Sequence, residues 1–205
     1  MRGDAGQAFP VYIAVIAGLL FLAFAYFAVG QAAFTRNAAQ TAADASALAA
    51  AQDAREQLRE GWLEVILDPD QWGGFPNAEG YADASACESA SDFAFRNEAK
   101  LDGSGCQPLT SGANGFRVTV STTGGKPNPA TASAEAVIEP RCTFTEEPTT
   151  EPPPPPSSPP PSADPEEEEL GPIRGLTCDG KPWEIDPENP RLPAATELFT
   201  VRLSE

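Results

Sequence analysis

The sequence predicts an α+β chain. A long N-terminal transmembrane helix continues into an alanine-rich helix and packs on a small antiparallel sheet, and a disordered Pro/Glu-rich tract interrupts the outer part. Three observations carry this reading. Between Asp4 and Arg36 no side chain other than tyrosine ionises. Residues 31–60 are rich in alanine and contain neither proline nor glycine. Further on, short segments alternate apolar and polar side chains at period two, as half-buried strands do.

The apolar run spans residues 9–29 and includes Phe9, Ile13, Ile16, Leu20, Phe24 and Val29. At 1.5 Å per residue, about 20 such residues cross the hydrocarbon core. Pro10 falls in the first turn, where proline is tolerated. A cleaved secretory signal fits less well, although Ala28-Val29-Gly30 has the small residues of a cleavage site. The apolar core is too long for that, and only Arg2 and the α-amino group supply positive charge before it. A core helix fits worse, because so small a chain cannot surround this much apolar surface. Basic residues on the two sides nearly balance. The cysteines and the Pro/Glu tract, all after the run, favour an N-terminus inside and a C-terminal domain outside. The expected division is a cytoplasmic leader at 1–7, the transmembrane helix at 8–33 and an extracytoplasmic α+β domain at 34–145. A disordered linker at 146–172 and a closing segment at 173–205 complete it.

Alanine is the best helix former, so the membrane helix is expected to run on to about Arg59. Ala38, Ala42, Ala45, Leu48 and Ala49 form a smooth surface that lets helices or a sheet approach closely. They are the candidate assembly surface, and the competing reading is a helix packed only on its own domain. Asp68-Pro69-Asp70 ends the pattern, and Gly73-Gly74-Phe75-Pro76-Asn77 reads as a loop. A second helix is expected over 84–101, with Ala90, Phe93, Ala94 and Ala99 on its buried side and Asp102-Gly103-Ser104-Gly105 ending it. Residues 116–121 and 132–139 form a hairpin around the turn residues Thr123-Gly124-Gly125-Lys126-Pro127-Asn128. In the tail, Cys178-Asp179-Gly180-Lys181 is a turn, and Trp183 and Ile185 offer buried bulk. Residues 198–203 add a third strand, with Phe199, Val201 and Leu203 on one face.

The formal charge is −17, from 30 acidic and 13 basic residues. A phosphate backbone would be repelled, and no basic stripe is present to attract one. Residues 146–170 hold ten prolines and eight acids but no Lys or Arg. Such a composition builds no core and favours extended polyproline conformations. The chain has no histidine, so it has no Ser-His-Asp or Cys-His arrangement. It also lacks GxSxG, Walker A and GxGxxG motifs. Neither a catalytic residue nor a cofactor nor a metal is therefore expected. Asp68 with Asp70, and Asp186 with Glu188, read as solvated turns. Cys87, Cys106, Cys142 and Cys178 lie beyond the anchor without CxxC spacing, which points to disulfides in an oxidising compartment. Three pairings are possible. Cys87–Cys106 with Cys142–Cys178 is preferred, because the second bond then clamps the proline-rich tract.

The stretch Arg36-Asn37-Ala38-Ala39-Gln40-Thr41-Ala42-Ala43-Asp44-Ala45-Ser46-Ala47-Leu48-Ala49, placed after an apolar helix, resembles the TadE/TadG-like proteins of Flp (Tad) pilus assembly. Arg2-Gly3-Asp4-Ala5-Gly6-Gln7 is similar to the leader of that group. The run from Ala134 to Cys142 is similar to the outer domain of its actinobacterial members. The main resemblance covers about 50 of the 205 residues. It implies a pilin-like, single-pass component of a pilus or secretion apparatus. Its partners would be the membrane and other Tad/Flp or envelope proteins, with homo-oligomers formed through the N-terminal helix. A true prepilin cut after Gly6 would carry glutamate where this chain has Val11, so the resemblance favours a permanent anchor over a polymerising subunit. The competing function is a tethered binding or adhesion module of the cell envelope unrelated to pili.

Overall fold

The computed structural model of the protein describes residues 8–72, 75–110, 112–123, 129–145 and 171–204. The leader 1–7, Gly73 and Gly74 of the loop, the hairpin turn 124–128 and the tract 146–170 lie outside the described residues. One helix, α1 (Ala8–Glu64), carries everything else. It runs without a break from the apolar segment into the alanine-rich one, as expected, because no proline or glycine interrupts residues 31–60. Beyond Glu64 the chain folds into turns, with Val65 N–H donating to Trp62 O at 3.1 Å and Asp68 N–H to Val65 O at 2.9 Å.

The second helix, α2 (Asp83–Arg96), runs antiparallel to α1. At its start, Ala82 N–H donates to Gln57 Oε1 at 2.8 Å, and further along Ser89 Oγ donates to Asp53 Oδ1 at 3.1 Å. Its face towards α1 is Ala86, Ala90 and Ala94, all fully buried. The opposing helix contributes Ala43, Ala47, Ala50 and Ala54, also fully buried. Alanine on both sides lets the two backbones approach closely, so one added isobutyl group has nowhere to go. Ala90→Leu is expected to cost about 1–3 kcal/mol through overpacking, read as a lower midpoint in denaturant.

This helix stops earlier than the sequence suggested. Asn97 caps it, with its side-chain amide donating to Phe93 O at 2.8 Å, and Glu98 takes a left-handed conformation at φ 53°. Residues 99–101 therefore belong to β1 (Ala99–Pro108) rather than to the helix. Asp102-Gly103-Ser104-Gly105 is not a loop but an irregularity within that strand, where the register to β2 shifts between Leu101 and Cys106. Gly105 is needed there, since a Cβ would lie 2.3 Å from Thr119 O. Phe93, expected on the buried side, is exposed.

The expected hairpin is present as β2 (Gly115–Thr122) and β3 (Thr131–Pro140), paired from Gly115↔Val137 to Ser121↔Thr131. The tail contributes a single helical turn, α3 (Ala195–Leu198), and then β7 (Phe199–Leu203), which pairs with β3. The resulting antiparallel sheet has the order β1-β2-β3-β7. Phe116, Val118 and Val120 with Ala134, Ala136 and Ile138 form the face buried against α1. The other face holds Thr119 and Ser133, whose hydroxyls lie 2.8 Å apart, and the Arg117–Glu135 ion pair.

A second sheet, not foreseen, caps the far end of α1. It consists of β4 (Cys142–Phe144), β5 (Ile173–Cys178) and β6 (Lys181–Ile185) in that order. The expected turn joins β5 to β6. Asp179 and Gly180 have φ of 52° and 73°, the positive pair that a two-residue type I′ hairpin requires.

Candidate functional site

The most distinctive surface of the molecule is the first half of α1. Phe9, Leu20, Tyr26 and Phe34 are 72, 66, 85 and 69% exposed. Most of their surface is open among the described residues, and residues 9–34 rise about 39 Å along the helix, more than a hydrocarbon core needs. Burial begins abruptly at Thr35 and is complete at Ala39. Thr35 Oγ1 donates to Gln31 O at 2.9 Å, so its hydroxyl is satisfied within the helix. The outer domain thus begins within about 8 Å of Gly30, joined by rigid helix rather than by a linker.

The five residues of the candidate assembly surface divide by burial. Ala42 is fully buried and Ala49 is 4% exposed, while Ala38, Ala45 and Leu48 are half-buried. Ala42 and Ala49 pack within the chain's own fold, and the other three keep part of their surface open.

At the far end, Trp62, Trp72 and Phe144 lock the small sheet onto α1. Trp72 is fully buried, with its ring 5.4 Å from Trp62 and 4.6 Å from Phe144, edge-on to each. Its indole N–H donates to Val65 O at 2.9 Å. The structure joins Cys87 to Cys106 and Cys142 to Cys178. The first bond ties α2 to β1, and the second bridges the start of β4 and the end of β5, closing the loop that contains the proline-rich tract. Thr145 N–H donates to Gly175 O at 3.0 Å just before the tract begins. Trp62 lies about 46 Å along the helix from Gln31, so the tract leaves the end of the domain farthest from the apolar segment.

Charged groups tie the elements together. Arg141 grips Asp179 with two bonds, Nε–H to Oδ1 at 3.1 Å and Nη2–H to Oδ2 at 2.5 Å. It also donates through Nη1 to Thr196 O at 2.7 Å, so the cap is joined to α3. The carboxylate beside it raises the Arg141 pKa further. Hydrogen bonding from Arg202 holds the Glu139 carboxyl below the usual glutamate range. Burial pushes the Tyr81 phenol up, against a hydrogen bond with the Gly115 backbone. Asp68 accepts from the Gln71 side chain, and Asp186 Oδ1 from Glu188 N–H at 3.0 Å, both local turn bonds. Among the described residues no group of three His, Cys, Asp or Glu side chains gathers as a metal site.

One feature was missed on sequence. An open groove runs over β6 and α3, lined by Arg141, Asp179, Lys181, Trp183, Arg191 and Glu197. Trp183, expected to be buried bulk, is only half-buried, and the Arg191 guanidinium stands 5.2 Å from its ring centroid. Lys181, Trp183 and Arg191 are separated by acids and prolines in the sequence, and nothing in their spacing showed that the tail folds them together.

No curated protein and no solved structure matches the chain. A family model described as "Putative Flp pilus-assembly TadE/G-like" matches residues 6–53, which takes in the exposed apolar half of α1 and most of its alanine-rich half. Over residues 6–53, about a quarter of its length, the chain is similar to TadE/G-like Flp pilus-assembly proteins.

Proposed function

We propose that the protein is a single-pass, pilin-like and non-catalytic component of an Flp/Tad-type pilus or secretion apparatus. One observation carries the reading: a single helix is bare and apolar for its first 26 residues, then fully packed, and its TadE/G-like match spans that change. In this reading residues 1–7 stay in the cytoplasm, 8–33 cross the membrane and 34–145 with 173–205 form the outer domain. Residues 146–172 are a spacer projected from the domain's far end. Assembly contacts then come from the membrane half of α1 and from the outer surface, including the half-buried Ala38, Ala45 and Leu48. A rigid junction at Thr35 transmits the tilt of the membrane helix directly to the outer domain.

Deleting the gene and imaging surface fibres tests the assembly role. Loss of fibres, restored by the intact gene, is the expected result. Intact fibres, together with a protein that sediments as a lone monomer, would overturn it in favour of a tethered adhesion module. Orientation is read from Ser204→Cys, an exposed position in a protein whose described cysteines are all bonded. Labelling of whole cells by a membrane-impermeant maleimide is expected, and protection until lysis would reverse the assignment.

A further inference from the structure

We infer that the last turn of α2 rests on the bilayer surface, so that the protein meets the lipid headgroups at a second point besides its membrane helix. The inference rests on the membrane-anchor reading.

Among the described residues beyond the apolar half of α1, Phe95 is the most exposed large apolar side chain, at 82%. With Phe93 and Arg96 it takes up the exposed arc of the final turn of α2, and the Arg96 guanidinium stands 4.9 Å from the Phe93 ring centroid. Aromatic rings beside a cation suit the lipid–water boundary. A lone exposed phenylalanine is commonplace, so its place in the molecule decides its role.

That end of α2 faces the membrane. Ala82 at the start of the helix is bonded to Gln57, and Ser89 to Asp53, so α2 descends along α1 as it proceeds. Asp53 lies about 27 Å along α1 from Thr35, and Phe95 lies about 9 Å beyond Ser89 on the way back, which leaves it about 18 Å from the level of Thr35. The spacing of two packed helices and the radius of one place it about 15 Å to the side of the α1 axis.

An upright helix would hold Phe95 about 20 Å clear of the hydrocarbon. The apolar run does not fit upright, however. Phe9 and Phe34, 72 and 69% exposed, bound it, and about 39 Å of helix must be matched to about 30 Å of hydrocarbon. Burying both ends takes a tilt of about 40°, at the upper end of the range for membrane helices. Because α1 is unbroken through Thr35, the outer domain leans with it. A lean towards α2 brings Phe95 to about 5 Å above the hydrocarbon edge, within a headgroup layer about 5–7 Å deep. There the ring leaves water, and Arg96 reaches the phosphates while its aliphatic stem stays in apolar surroundings. A lean towards the open flank of α1 would instead press Gln40 and Asp44, bonded to each other at 2.7 Å, against the lipid. Net charge does not select the contact: Arg96 and Lys100 are matched on the same surface by Asp92 and Glu98, all exposed. The contact is aromatic and holds in neutral lipid.

Phe95→Trp in the full-length protein, reconstituted in phosphatidylcholine vesicles with or without a headgroup-nitroxide lipid, tests this. The substitution sits at an exposed site, and the chain's own Trp62 and Trp72 are buried while Trp183 lies on the distal sheet. The emission that Phe95→Trp adds is expected to fall at least twofold with the nitroxide lipid, and equally in 0.5 M NaCl. Emission added by Leu192→Trp is expected to stay unchanged, because Leu192 is 56% exposed beside Pro193, whose carbonyl is bonded to Arg59 far along α1. In protein that floats with the vesicles, an unquenched Phe95→Trp, quenching abolished by salt, or equal quenching at Leu192→Trp overturns the inference and leaves the anchor standing. Protein that fails to float overturns the anchor and the inference together.

Discussion

Trp72→Ala is expected to destabilise the protein by about 4 kcal/mol, within the range for deleting a large buried aromatic, and to loosen the small distal sheet first. Trp72 has no exposed surface and stands between Trp62 on α1 and Phe144 on β4. The substitution removes both edge-on contacts and opens a void between Trp62 and Phe144, in the buried cluster that also holds Leu176 and Ile185 of the cap. It also removes the indole hydrogen bond to Val65 O, which still accepts from Asp68 N–H, so this loss is small beside the packing one. Trp72→Phe separates these effects. It keeps most of the ring packing but loses the bond, so about 1–2 kcal/mol is expected. Denaturant titration of the detergent-solubilised protein gives the totals, and hydrogen exchange shows where the loss falls. Faster exchange in β5 and β6, with β2 and β3 still protected, is the expected pattern. Uniform loss across both sheets would mean that Trp72 supports the whole domain rather than the cap.

The elements legible in the sequence were those whose period is long or uninterrupted. Residues 9–59 contain no competing signal, so α1 was read almost to its end. The hairpin was legible because Phe116, Val118 and Val120 alternate with polar residues, and Ala134, Ala136 and Ile138 do the same opposite them. The distal sheet was hidden because β4 is three residues long and its partner begins 29 residues after it ends. Trp72 was hidden among aspartate, proline and glycine, whose turn chemistry masks a single buried ring. The alanine surface shows a different limit. Ala42 and Ala49 look alike whether their partner is another molecule or a later helix of the same one. The deciding signal was the matching stripe Ala86, Ala90 and Ala94, four residues apart on α2. Two small-residue stripes within one chain meet at a far higher effective concentration than stripes on separate molecules.

The Cys142–Cys178 bond is the covalent constraint on the cap. Cys142→Ala/Cys178→Ala is expected to cost about 4 kcal/mol. The bond spans a sequence separation of 36 residues, and releasing a loop of that size frees roughly this much chain entropy in the unfolded state. The corresponding loss for Cys87–Cys106, with a separation of 19, is about 3 kcal/mol, and it falls on the α2–β1 junction instead. Without the clamp, the long proline-rich insertion is still closed by strand pairing between β4 and β5, by Phe144 against Trp72, by the Thr145–Gly175 hydrogen bond and by Arg141 with Asp179. A three-residue strand is weak support for such a loop, so the cap is expected to open locally before the rest unfolds. Limited proteolysis checks this: cleavage within β4 to β6 should precede any cut between residues 99 and 140. If both regions are cut together, the cap is not a separate unit. Residues 9–34 of α1, remote from Trp62, are expected to keep their protection in either case.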